Sequence, residues 1–338
     1  MKKLLNTLYV TTPEAYLTKD GENIVVSVKQ EERFRIPIIN IENIICFSYM
    51  GATPGVMKLC GDNGVSLAFM TPKGQFIGRL QSPTRGNIYL RHRQHLIDGE
   101  PEKKLTLARL MIAAKIFNSR TVLTRFTRDY GNNPDVDFAI KQLYHIKNKC
   151  IGALTGEELL GIEGQAAHIY FGVLKNLLTQ QKKDFDFSER NRRPPKDPFN
   201  AMLSFAYTLL ANEISSALEG TGLDPYIGVF HKLRPGRASL ALDIMEEFRA
   251  YLCDRFVLSL INRRQITARD FTDNGGVRMT DDARRKFIAA WQDRKRETIM
   301  HPFLKEKVAI GLLPHIQAMM LARYFRGDIE KYPVFIFR

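Results

Sequence analysis

The chain has 338 residues, 44% hydrophobic and 25% charged, a globular balance that argues against a disordered or low-complexity polymer. Fifty Lys and Arg against 36 Asp and Glu leave a formal net charge of +14, which favours a polyanionic partner, either nucleic acid or an anionic membrane surface. No stretch approaches the roughly 18 uncharged apolar residues of a spanning helix, so the membrane reading loses ground.

Met1–Val10 is a poor signal peptide, because Thr11, Thr12, Pro13 and Glu14 end its apolar run early. Val56–Cys60, Arg33–Ile38, Asn43–Phe47 and Val65–Phe69 are short β-branched or aromatic runs, and Ile24–Val28 alternates loosely. Turn signals separate them at Asp20-Gly21, at 51–55, at Gly61-Asp62-Asn63-Gly64 and at Pro72-Lys73-Gly74. The pattern predicts a small antiparallel β-domain over residues 1–80. A loop at 82–86 and the basic stretch Arg91-His92-Arg93-Gln94-His95 predict a linker over 81–102. From Lys103 a helical period takes over, with Leu107, Leu110, Met111, Ala114 and Phe117 on one face. Helical segments follow at 120–130, 135–149, 156–180, 198–218, 239–262, 280–298 and 305–326, and the polar, Arg-rich stretch Gln181–Pro195 interrupts them. The predicted fold class is α+β by segregation: the small β-domain, then a larger all-α domain over 103–338.

Cys46, Cys60, Cys150 and Cys253 form no C-x-x-C pair, which argues against zinc and disulfides and for a reducing, cytoplasmic setting. Residues 1–100 hold 12 Lys and Arg against 9 Asp and Glu, leaving 38 against 27 for the remainder, so the helical part carries most of the excess. Its clusters include Arg190-Asn191-Arg192-Arg193, Arg263-Arg264, Arg284-Arg285-Lys286 and Arg294-Lys295-Arg296. Each alone also fits a solvated helix face.

Markers of nucleotide hydrolysis, dinucleotide binding, zincin proteolysis and the α/β-hydrolase reaction are absent from the sequence. Two segments remain. In Gly161-Ile162-Glu163-Gly164-Gln165-Ala166-Ala167, small residues surround one carboxylate; a close helix crossing and an approachable ligand site both use that pattern. In the second segment, Pro235-Gly236 marks a turn, Ser239 is the expected helix cap, and Asp243 and Glu246 lie three apart on one face. Their repulsion would be relieved by a cation, and His231 precedes them by a loop long enough to fold back. Carboxylates with one imidazole suit Mg²⁺ or Mn²⁺, and Arg234 and Arg237 are placed to hold a phosphate beside it. Glu163, His231 and Glu246 make three candidate ligands, with Asp243 a candidate to orient His231 or a bound water. An ordinary loop histidine and an acidic first helical turn remain the alternative.

These motifs, with Arg193-Pro194-Pro195-Lys196-Asp197-Pro198-Phe199-Asn200-Ala201-Met202-Leu203-Ser204-Phe205, Tyr207 and Leu210, resemble the CRISPR-associated adaptation integrases, the Cas-one endonuclease-integrase family. The likeness spans essentially the whole chain, and Met1–Val10 is most similar to the I-C subtype. The resemblance implies that the family's metal ligands fall on Glu163, His231 and Glu246, its further acidic position on Asp243, and its metal is Mg²⁺ or Mn²⁺. Many relatives have Asp where Glu246 stands. It also implies a homodimer that joins a small ferredoxin-like partner, the Cas-two protein. Together they insert prespacer DNA at the CRISPR repeat in antiviral defence, by 3′-hydroxyl attack on a phosphodiester. Of the basic residues, Arg192, Arg193, Arg234 and Arg237 are the expected DNA contacts. Two other readings compete: a metal-dependent nuclease on branched or single-stranded DNA, and an architectural DNA-binding protein without catalysis.

Overall fold

Leu17, Ile24, Ile44, Val56 and Leu67 are fully buried in one apolar core, although they come from two sheets and a helix. A computed structural model describes residues 7–12, 14–71, 76–81, 88–191, 194–273 and 275–337. The strands are β1 (Thr7–Val10), β2 (Ala15–Asp20), β3 (Asn23–Val28), β4 (Glu31–Pro37), β5 (Asn43–Cys46), β6 (Ser66–Met70) and β7 (Phe76–Arg79). β2, β3 and β4 form an antiparallel meander. Its second turn places Lys29 and Gln30 at φ 52° and 68°, the two left-handed residues that a tight hairpin loop requires. The other sheet has the order β1-β5-β6-β7, and only its last pair is antiparallel.

The parallel pairing depends on a helix where the β-branched run predicts a strand. Val56–Cys60 lies in α1 (Pro54–Asn63), the crossover between β5 and β6. Thr53 accepts the Val56 N–H at its start, Pro54 opens it, and Gly64 closes it at φ 68°. Those punctuating residues outweigh the β-branched run. The turn at 72–74 and the loop at 82–86 lie outside the described residues.

The helices that follow are α2 (Ile88–Leu96), α3 (Pro101–Tyr130), α4 (Pro134–Gly152), α5 (Gly156–Leu174), α6 (Pro198–Thr221), α7 (Ser239–Glu246), α8 (Arg255–Asn262), α9 (Asp281–Arg296) and α10 (Leu313–Arg326). A β-rich start followed by a helical remainder is thus the fold class that the sequence predicts. α7 and α8 are one run joined by a π-helical turn at Arg249–Asp254. The expected linker contains α2, whose buried Gln94 accepts from the Asp224 N–H at 2.8 Å and donates to the Asp224 carbonyl at 2.7 Å.

Two compact units divide the chain, and neither is continuous. One comprises residues 1–85, 280–299 and 308–313; the other comprises 86–279, 300–307 and 314–338. α9 therefore belongs with the first strands: Lys295 Nζ lies 3.5 Å from Thr7 Oγ1 and over the Tyr9 ring. In the second unit α3 packs against α4, α5 and α7. A strap at 332–337 fastens this unit. Asn118 on α3 donates to the carbonyls of Glu247 and Phe335 and accepts from the Phe337 N–H, all within 2.9 Å. The buried Glu247 carboxylate accepts from Phe335 N–H, Tyr332 Oη and Gln317 Nε2.

Candidate active site

α5 starts where Thr155 Oγ1 accepts the Glu158 N–H, and two turns on it presents Glu163. A Cβ added at Gly161 or Gly164 would meet nothing within 4 Å. The glycines around Glu163 are thus not pressed into a helix crossing, and the carboxylate stays approachable. The second carboxylate, Glu246, ends α7 at 2% exposure. His231 belongs to the loop that wraps the start of α7.

Asp243, wholly buried, organises that loop. Its carboxylate accepts from the backbone N–H groups of Val229, Phe230 and His231 at 2.6, 3.1 and 3.0 Å, and from His231 Nδ1 at 2.6 Å. The Nδ1 contact with Asp243 orients the imidazole ring, whose Nε2 faces Glu246 Oε1 at 4.0 Å. Gly228 permits the wrap: a Cβ there would lie 2.6 Å from Ser239 Cβ and 2.8 Å from Asp243 Oδ2. Ser239 makes no cap. Its hydroxyl donates to the carbonyls of Lys232 and Arg237, and no acidic residue occupies the first turn of α7.

Glu163 and Glu246 face one another across Lys115 of α3. The Lys115 ammonium pairs with Glu163 Oε1 and lies 2.8 Å from Glu246 Oε2. Arg249 Nη2 lies 3.1 Å from Glu246 Oε1, one turn along. Burial pushes the Glu246 carboxyl up, but Arg249, Lys115 and His231 together hold it below the ordinary glutamate value. Beside Arg249, Asp254 accepts from Tyr207 Oη at 2.6 Å, and burial pushes its pKa up to about 6.

The structure therefore brings Glu163, His231, Asp243 and Glu246 into one cluster. Arg234 is exposed and Arg237 half-buried in the turn before α7, and the guanidinium paired with Glu246 is that of Arg249. Arg192 and Arg193 lie outside the described residues. Neighbouring Arg190 is tied to Asn200 Oδ1 at 2.7 Å and Ser204 Oγ at 3.0 Å. Sequence reasoning missed Lys115, Arg249 and Gly228. Lys115 was findable as the charged member of the buried stripe Leu107-Met111-Lys115, and Arg249 as the third step of Asp243-x-x-Glu246-x-x-Arg249.

Among the described residues no three His, Cys, Asp or Glu side chains stand close enough to hold an ion as they are placed. The cation between the carboxylates is instead the lysine's. The donor set still fits a hard divalent ion: two carboxylates and an imidazole turned toward them, with Glu246 Oε2 buried and facing the Lys115 ammonium.

A sequence model of the family described as CRISPR associated protein Cas1 matches residues 8–293. The CRISPR-associated endonuclease Cas1 1 of Chlorobaculum tepidum is 48% identical over 344 aligned positions, covering 100% of both chains. Among solved structures, a casposase bound to integration product aligns at TM-score 0.82 and 23% identity, covering 96% of this chain and 92% of that one. A Cas6-RT-Cas1–Cas2 complex aligns at TM-score 0.85 and 23% identity over 99% of this chain and 36% of its partner in the alignment. The two structures establish likeness of fold; the family model and the full-length identity go further, and by them this chain belongs to the Cas1 family of CRISPR-associated endonucleases.

Proposed function

We propose that the chain is a metal-dependent DNA integrase of CRISPR adaptation, with Glu163, His231 and Glu246 as the ligands of one Mg²⁺ or Mn²⁺. One observation carries the reading: two carboxylates and an imidazole from three separate segments converge beside two cationic side chains, in a protein of net charge +14. A divalent ion held there supplies Lewis-acid polarisation of a phosphoryl oxygen and stabilises the departing oxygen. Asp243 fixes the His231 ring plane. Arg249 and Lys115 balance phosphate charge as DNA enters. The attacking 3′-hydroxyl of prespacer DNA forms a new P–O bond at the repeat boundary while the original 3′ P–O bond breaks. Bond count is conserved, so the reaction needs no nucleotide cofactor.

Proposed partners are double-stranded prespacer and repeat DNA, a second copy of the chain, and a Cas2 protein, in the cytoplasm. Support for the partner comes from the Cas6-RT-Cas1–Cas2 assembly, and for joining from the casposase and its integration product. Residues 1–80 are the proposed dimerisation region, 103–338 the proposed catalytic part, and Arg192, Arg193, Arg234 and Arg237 proposed phosphate contacts. The relatives are named endonucleases; a nuclease reaction of this chain would use the same residues with water as the nucleophile.

Purified protein with and without Cas2, short duplexes, a supercoiled repeat-bearing plasmid and Mn²⁺ separate these readings. Joined products are expected; cleavage alone supports the nuclease, and binding alone the architectural protein. Replacing Glu163, His231 or Glu246 singly with Ala should abolish joining and leave most DNA affinity. The losses should not add, because a site missing one ligand already fails as a unit. Near-normal joining by H231A removes histidine from the site.

A further inference from the structure

Lys115 is 9% exposed, sits mid-helix on the buried stripe of α3, and places its ammonium between the two carboxylates proposed as ligands. An ammonium buried this deeply is normally matched by one carboxylate; this one touches two, and Arg249 adds a second positive charge on Glu246. Two cationic side chains thus offset two acidic ones, so the carboxylate pair needs no divalent ion to be electrically balanced. A water-sized cavity of about 20 Å³ adjoins the ammonium, lined by Lys115, Ala166, Tyr170, Tyr207, Arg249 and Asp254, and the buried Tyr170 hydroxyl there interacts with Asp254.

We propose that Lys115 is an internal counter-cation that holds Glu163 and Glu246 together and competes with the divalent ion for them. It is a positioning residue, and the proposal rests on the metal site put forward above. Binding of the ion then requires the ammonium to leave the carboxylates, and the released lysine becomes a charge partner for a phosphate. The idea differs in sign from a merely structural role. A lysine that only braced the two helices would, on removal, disorder the carboxylates and weaken metal binding. A competing lysine would, on removal, strengthen it.

The test titrates MnCl₂ into the full-length protein without DNA, following bound Mn²⁺ by electron paramagnetic resonance and calorimetry. K115M and K115Q are two neutral variants, so a folding defect in one leaves the other to report. Each should bind Mn²⁺ about tenfold tighter than wild type, the effect of removing one opposite charge at ion-pair distance. Each should also melt at a lower temperature in chelator and show a larger rise in melting temperature on adding Mn²⁺. K115R, which keeps the charge, should bind Mn²⁺ within about twofold of wild type. Mn²⁺ binding by the neutral variants equal to or weaker than wild type overturns the role of Lys115 while leaving the metal site standing. Absence of Mn²⁺ binding in wild type and both neutral variants overturns the metal site, and the proposal with it.

Discussion

Gly228 has no room for a side chain, because any Cβ there would collide with Ser239 and the Asp243 carboxylate. Gly228→Ala should push the 229–231 loop off Asp243, cost about 1–3 kcal/mol of stability as overpacking does, and release the His231 ring. Strand joining should then fall far more than DNA affinity, as parallel joining and filter-binding assays would report. Asp254 makes a second residue-scale prediction. Its folded pKa of about 6 lies above the ordinary 3.8, so the folded protein binds the extra proton and stability rises as pH falls from about 6 toward 4. Asp254→Asn removes that dependence. Denaturant melts should show the variant gaining on wild type as pH rises from 4 to 7, by roughly 3 kcal/mol at most. A wild-type and variant difference that is flat across that range would contradict the raised pKa. The sequence offers Asp243 and Glu246 as candidates through their three-residue spacing, and Glu163 and His231 through separate motifs that no local spacing joins to them. Gly228 was not legible there, since its need arises from Ser239 and Asp243 atoms brought near by folding. Lys115 was marked only as a charge on a buried helical stripe, and its pairing with Glu163, 48 positions away, was not.

Among the elements, α1 shows how local signals compete. Val56–Cys60 suits a strand by composition, yet Thr53, Pro54 and Gly64 supply a cap, a fixed φ and a left-handed stop, and these decide for helix. The long helices were easier, because α3, α4 and α6 repeat their apolar positions over several turns and one face is wholly buried. Nothing in the local pattern announces the π turn, whose residues pack against α3 and α6. The strap at 332–337 was likewise invisible, since its bonds run to Asn118 and Glu247 across more than 80 residues. Asn118→Ala would leave the Glu247 and Phe335 carbonyls and the Phe337 N–H without their side-chain partner. A loss of about 2–4 kcal/mol is expected, at one to three per stranded buried group with partial relaxation. Urea denaturation would measure it, and protease should cut first near residue 332.

Over the whole molecule, the charge excess decides the partner and its energetics. Binding to duplex DNA should be mostly sequence-independent and fall steeply with salt, with a logarithmic slope near −0.9 per phosphate neutralised. A binding constant unchanged between low and physiological salt would contradict it. The slope should be smaller than the count of Lys and Arg suggests. On α9, Arg284, Arg285, Arg294 and Arg296 each pair with an acidic residue one turn away. No helix among the described residues is long and apolar enough to cross a membrane. That a β-rich part precedes a helical one could be read from the turn signals and the onset of helical periodicity. The return of residues 280–299 to the first unit could not, since α9 carries the same amphipathic period as its neighbours.

That return sets a schedule for protein synthesis. The strands near the start leave the ribosome first, but the helix that completes their unit emerges about 200 residues later. At roughly 5–20 residues per second, the nascent sheets wait about 10–40 s for it. Meanwhile the helical unit has begun to assemble from local contacts, which form fast, whereas the first unit must close one very long loop. The single tryptophan, Trp291, lies buried on α9 and so marks the late event. In refolding from urea, far-ultraviolet dichroism should recover before Trp291 fluorescence. Coincident recovery of the two signals would mean that the discontinuous unit closes together with the helices.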